Sequence, residues 1–226
     1  MIALLASLFI ATNATLSTDG DVRCPSVNST DADVRCPSVN STDEDVRCPR
    51  ERTPRELVQG CRTMIPANVE LSGRIILRNR KGISQAEHDY VLTRSNSVTR
   101  LAIDGKPFER KDGGPLLGTD VTWSDLTLDY LWWDDFSFDA EREGESVHGQ
   151  ICEVVVMKKG DRLVRVWVDR KTGALMQAEE YAGEKPIRRL WGTRLKKFGE
   201  RWMANVLEVE TIGSGHRTKI TVETLK

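Results

Sequence analysis

Long apolar runs are missing from this chain. No stretch approaches the ~18 consecutive apolar residues that a membrane-crossing helix needs. Excess charge is missing too: 33 Lys and Arg against 34 Asp and Glu leave a net charge of -1. A near-neutral balance gives no overall attraction to nucleic acid or to an anionic membrane. Histidine is scarce, with only His88, His148 and His216 in 226 residues. No HExxH, GxSxG, P-loop or GxGxxG pattern is present, which removes the common metalloprotease, serine hydrolase and nucleotide-binding readings. Glu87-His88-Asp89 is the nearest approach to a polar constellation. It lies in a strand-patterned stretch, where neighbouring side chains point to opposite faces. The cysteines form no CxxC pair, and no histidine lies near the first three, so no metal site and no cofactor are expected. The chain reads as non-catalytic.

What is present is a soluble globular balance of 39% hydrophobic and 30% charged residues. The length suits one well-buried domain with additional segments. Residues 1–20 read as a weak or truncated signal peptide. The apolar stretch IALLASLFIA at 2–11 has the right length, but no basic residue precedes it and no lipobox follows. Residues 21–52 are a tandem repeat. DVRCPSVNSTDA recurs as DVRCPSVNSTDE, and a third copy begins at Asp45 and diverges. The repeat is rich in Pro, Ser, Thr, Asn and Asp and carries no apolar face, so a disordered linker is expected. It places Cys24, Cys36 and Cys48 at a regular spacing, with Cys61 and Cys152 beyond. Five is an odd number, so at least one thiol stays unpaired within a single chain.

Residues 53–226 read as the folded domain. Thr53-Pro54-Arg55-Glu56 has a capping-box residue at each end and Pro at the first helical position, predicting a helix that ends before Pro66. The apolar period then changes to two. Strands are expected over 69–78, 87–94, 98–103, 152–157, 163–169, 174–181, 187–198, 202–211 and 219–225, with glycine-bearing turns between them. That is an all-β rhythm of roughly nine or ten strands.

The segment TDVTWSDLTLDYLWWDDFSF at 119–138 interrupts it. Thr122 and Asp125 form a second capping box. Trp123, Leu126, Tyr130 and Trp133 then fall on one helical stripe, and Leu128, Leu131 and Trp132 add apolar area beside it. A short helix that is apolar on more than one side must be enclosed by protein or must cover something greasy. Among strands it reads as a plug or lid. The acidic residues Asp134, Asp135, Asp139 and Glu141 nearby read as solvated loop charge or as a cation site. The fold class is therefore mainly β (α+β): a strongly curved antiparallel sheet forming an unclosed β-barrel, with two helices as lid or plug.

Several motifs carry a family resemblance. GxxxTWSDL with its aromatic run, GESVHGQICEVVV, RVWVDRKTGALMQAEEY and RRLWGTRLKKFGERWMANVLEVET together resemble the LolA-like outer-membrane lipoprotein-sorting family, in its uncharacterised bacterial branch. The resemblance spans about residues 73–223 and is clearest from Asp120 onward. It implies an unclosed barrel enclosing an apolar cavity for acyl chains, and a periplasmic carrier of lipid acyl chains or lipoproteins with an inner- or outer-membrane protein as partner. A sensor or regulatory protein like the RseB-like relatives of this fold, or a transporter-associated accessory protein, is the alternative. Candidate acyl-chain residues are Ile75, Leu77, Trp123, Leu131, Trp132, Trp133, Val154, Val156, Val166 and Val168. The same alternation would equally build an ordinary packed core. Arg188 and Arg194 share a strand face and are candidates for a headgroup or an acidic partner; a solvated sheet face is the other reading. No nucleic-acid partner and no transmembrane helix are expected.

Overall fold

Thr53 opens the described part of the fold. Its hydroxyl accepts from Glu56 N–H at 3.2 Å, and the Glu56 carboxylate accepts from Thr53 N–H at 2.7 Å. This reciprocal box, with Pro54 behind it, starts helix α1 (Pro54–Thr63), which buries Leu57, Val58 and Cys61. The computed structural model describes residues 52–95, 98–109 and 114–226. The expected signal peptide lies outside the described residues, as does the repeat up to residue 51. No helix among the described residues is long and apolar enough to cross a membrane.

After α1 come β1 (Val69–Asn79), β2 (Ser84–Ser95), β3 (Val98–Ile103) and β4 (Lys106–Phe108). Helix α2 (Trp123–Thr127) and a 3₁₀ turn (Asp129–Trp132) interrupt the strands. They resume as β5 (Asp135–Phe138), β6 (Ser146–Val147), β7 (Gln150–Lys159), β8 (Arg162–Asp169), β9 (Leu175–Ala182), β10 (Lys185–Phe198), β11 (Arg201–Thr211) and β12 (His216–Leu225). All pairings are antiparallel, in the order β4-β3-β2-β1-β12-β11-β10-β9-β8-β7-β5, with β6 also on β7. The first and last long strands, β1 and β12, meet in the middle. β4 and β5 end the sheet without pairing to each other, so the barrel is not closed.

The sheet curves around the helices. Leu101 and Ile103 near one edge and Val155 and Met157 near the other belong to a single buried cluster, together with Leu57 and Val58 of α1 and Leu126 of α2. A flat sheet would hold these strands far apart. Gly73 marks the tightest approach in it. A Cβ there would lie 1.8 Å from the Thr221 carbonyl oxygen, and the β1–β12 register shifts between Ser72 and Gly73. Tyr90, the cross-strand partner of Gly73, reaches past β1 to donate its hydroxyl to that same oxygen at 3.2 Å.

The expected strands form, seven of the nine longer by one to four residues. The three short strands β4, β5 and β6 are additional, because two to four residues show little period. The aromatic segment differs more. The capping box at Thr122 and Asp125 starts α2 as expected. The helix does not run on to Trp133: Leu128 adopts a left-handed backbone (φ 47°) and its N–H bonds Ser124 O at 2.7 Å. The chain re-enters as a 3₁₀ turn. Phe136 and Phe138 are strand residues of β5, both packed on the main cluster.

Candidate functional site

The concave face and the lid seated on it bring most of the candidate residues together. The lid, residues 122–133, presses Trp123, Leu126, Leu128, Tyr130, Leu131 and Trp133 into the main cluster, all buried. The sheet side supplies Ile75 of β1, Val155 and Met157 of β7, and Val164, Val166 and Val168 of β8. Of the expected acyl-chain residues, Ile75, Trp123, Leu131, Trp133, Val166 and Val168 meet here. Trp132 is half-buried and packs against the same cluster. Leu77 is half-buried one turn of the pleat beyond Ile75.

Val154 and Val156 do not meet the others. The register sets Val154 opposite Trp167 and Val156 opposite Arg165, so both lie on the outer face. Val154 packs there with Cys152, Val147 and Trp167 as a separate small cluster. The inward positions of β7 are Val155 and Met157, facing Val166 and Val164. Strand β7 is buried on both faces, so its alternation did not reveal which face looks inward.

The lid's rim is held by arginines. Arg188 of β10 was expected to face a headgroup, but its side chain is only 12% exposed and is engaged by the lid. It is paired with Asp125, and it donates to Thr122 Oγ1 at 3.0 Å and to Asp120 O at 2.7 Å. Asp120 is held in turn by Thr218 Oγ1 at 3.0 Å. Arg62 of α1 donates to Leu131 O at 2.6 Å and Trp133 O at 3.3 Å. Arg162 of β8 donates to Ser124 Oγ at 3.3 Å and lies 5.0 Å from the Trp133 ring centre. Arg94 of β2 lies 5.8 Å from the Trp132 ring centre. Arg194, by contrast, is exposed on the outer face.

The expected acidic run is also divided. Asp134 and Asp135 are exposed, whereas Asp139 is buried, accepts from Arg165 at 2.6 Å and caps the turn that follows it. It is a structural pair on the outer face rather than loop charge. Glu87 and His88 separate as the strand alternation predicts: Glu87 pairs with Arg74 at 2.6 Å, and His88 with Asp104 at 2.8 Å.

The concave side is filled by packed apolar side chains among the described residues. A cavity at the lid's edge, bordered by Asp125, Tyr130, Arg162 and Arg188, measures 20 Å³. That is room for about one water molecule, against the ~300 Å³ or more of typical ligand pockets. A larger 530 Å³ cavity lies at the β1–β2 and β11–β12 turns, lined by polar residues such as Arg78, Glu208 and Arg217.

Residues 105–226 match the model of a family described only as "Uncharacterized protein", more than half of the chain. The chain belongs to that family. Its fold is LolA-like. It superposes on a LolA superfamily protein from Nitrosomonas europaea with a TM-score of 0.61 at 13% identity, over 77% of this chain and 93% of that one. A DUF1329 family protein from Desulfovibrio piger gives 0.56 at 13%, over 76% and 90%. A domain from Vibrio parahaemolyticus, provisionally named for outer membrane lipoprotein sorting, gives 0.54 at 16%, over 71% and 85%. At these identities the likeness establishes the fold alone. No curated protein matches the sequence. Within the family, the matched span begins at the β3–β4 turn and so takes in the lid, β5 to β12, Arg162 and Arg188. The α1 clasp Arg62 and the β2 residue Arg94 lie before it.

Proposed function

We propose that this domain is a non-catalytic, periplasmic binding protein or carrier for the acyl chains of lipids or lipoproteins. One observation carries the reading: an apolar lid is seated on an apolar concave face, while its polar attachments lie at the rim. Such a lid separates from the sheet by exchanging a few arginine contacts for water and exposes a surface that only an apolar ligand would cover well. Each CH₂ of a chain placed there contributes about 0.8 kcal/mol, so a long chain could offset the lost lid packing without any polar contact. The LolA-like fold and its neighbour named for lipoprotein sorting support the same reading.

Native mass spectrometry of the full chain, purified without detergent, tests it. Bound mass that leaves on denaturation as lipid or acylated protein is the expected result. A ligand-free mass that does not change when lipid is added would sink the carrier reading.

A further inference from the structure

We propose that Arg94 and Thr99 bind the oxyanion of an anionic amphiphile at the rim of the lid; this deepens the acyl-binding reading and rests on it. Arg94 on β2 and Thr99 on β3 are cross-strand partners. They continue the inward row that Tyr90 and Leu92 make with Ile103 and Leu101, so they sit at the end of the concave face. Arg94 Nε and Nη1 and Thr99 Oγ1 are all buried, and among the described residues none of them has a hydrogen-bond partner.

The other arginines at the rim differ. Arg62, Arg162 and Arg188 each donate to lid oxygens, Arg188 to Thr122 Oγ1. Arg94 makes no side-chain hydrogen bond or ion pair among the described residues and lies over the face of Trp132. Burial lowers its pKa, and no neighbouring carboxylate opposes that shift. A guanidinium remains charged even so. Two buried guanidinium N–H groups and a buried hydroxyl on paired strands, with no hydrogen-bond partner among the described residues, are costly to the fold. An incoming oxyanion would satisfy both: the guanidinium donates charge-assisted hydrogen bonds and the threonine adds one more. Carboxylate and phosphate share this chemistry. The surroundings select the rest of the ligand, because Leu92, Leu101 and Trp132 offer only apolar surface. The head would sit at Arg94 and the tail would run along the concave face beneath the displaced lid.

Isothermal titration calorimetry of the full chain with oleate, with oleyl alcohol and with inorganic phosphate tests this. Arg94→Met removes the charge and donors at similar length. Thr99→Val removes only the hydroxyl. Arg94→Lys restores the charge. The expected result is that oleate binds wild type and weakens about ten- to a hundredfold in Arg94→Met, with a smaller loss in Thr99→Val and partial recovery in Arg94→Lys. Oleyl alcohol affinity should be unchanged throughout. The ligand-free melting temperature of Arg94→Met should hold or rise, which a merely structural arginine would not allow. Should Arg94→Met fail to fold, Thr99→Val and Arg94→Lys decide the matter by the same comparison. Equal oleate affinity in wild type and variants would overturn the oxyanion site and leave the acyl reading standing. Failure of wild type to bind either chain would overturn both. Arg94-dependent binding of phosphate without any binding of oleate would make this a free-oxyanion site and overturn the amphiphile.

Discussion

Replacing Arg188 by methionine should loosen the lid before it loosens the sheet. The Arg188 and Asp125 side chains are 12% and 11% exposed, so their pairing is largely shielded from water. Breaking such a pair by removing one partner costs about 3–5 kcal/mol, because the other charge stays buried alone. Asp125 keeps two hydrogen bonds, from Thr122 N–H at 2.7 Å and Thr122 Oγ1 at 2.9 Å. That places the cost near the lower end, about 3 kcal/mol, or roughly a hundredfold in an equilibrium constant. If the lid is a local opening unit, its open population rises by that factor. The Leu128 N–H to Ser124 O bond (2.7 Å) and the Trp133 N–H to Tyr130 O bond (3.1 Å) report it by amide hydrogen exchange. The amides of β8 and β9 should hold their protection. Affinity for a fluorescent acyl probe should rise in step, since the binding-competent fraction rises. A double variant with Asp125→Leu should recover much of the loss, because the stranded carboxylate is gone. Unchanged exchange at Leu128 and Trp133 would refute the latch. Equal acceleration in β8 and β9 would refute the lid as a unit that moves by itself.

Three further outcomes follow from the packing. Gly73→Ala should destabilise the fold by about 3 kcal/mol or more in denaturant titration, since its Cβ would collide with backbone that cannot move aside; a loss under about 1 kcal/mol would show that the β1–β12 bulge relaxes freely. Val166→Ala and Val154→Ala should each cost about 2 kcal/mol, but only Val166→Ala, on the concave face, should alter acyl-probe affinity; an equal effect from Val154→Ala would contradict the two-face assignment. Burial pushes the Cys61 thiol up to about 12 from a reference of 9.0. The folded state therefore favours the neutral thiol: stability is intact below about pH 9 and falls as pH rises toward 12, by at most about 1.4 kcal/mol per pH unit from this group. Cys61→Ala should flatten that alkaline limb, and Cys61 should resist iodoacetamide at pH 8 until the protein unfolds, both read by denaturation curves and site-resolved mass spectrometry.

Sequence patterning carried the strands well because most of them are half-buried, and a half-buried strand writes its inner face into every second residue. β1 and β8 show this, with Ile75, Val166 and Val168 placed inward as their alternation implies. β7 defeats the same logic. Cys152 to Met157 are buried without a break, so Val154 and Val155 are equally apolar although they belong to opposite faces. Only pairing with β8 separates them. The lid was legible as an apolar plug with a correct start, but not as a broken helix. No glycine or proline marks the turn at Leu128, whose burial to 2% exposure offsets an unfavourable backbone. The rim was the least legible part. Arg62 serves carbonyl oxygens 69 and 71 residues away. Every residue type carries that acceptor, so no spacing of side chains announces it. Arg188 looked like surface charge because its strand neighbours are charged. What decides its role is that the aspartate opening the lid helix folds back onto β10. Side-chain chemistry can name a cation, but only topology says whether it faces water, a ligand or the lid. That is why Arg94, the rim arginine with no hydrogen-bond partner among the described residues, could be recognised as different from the other three only after their contacts were known.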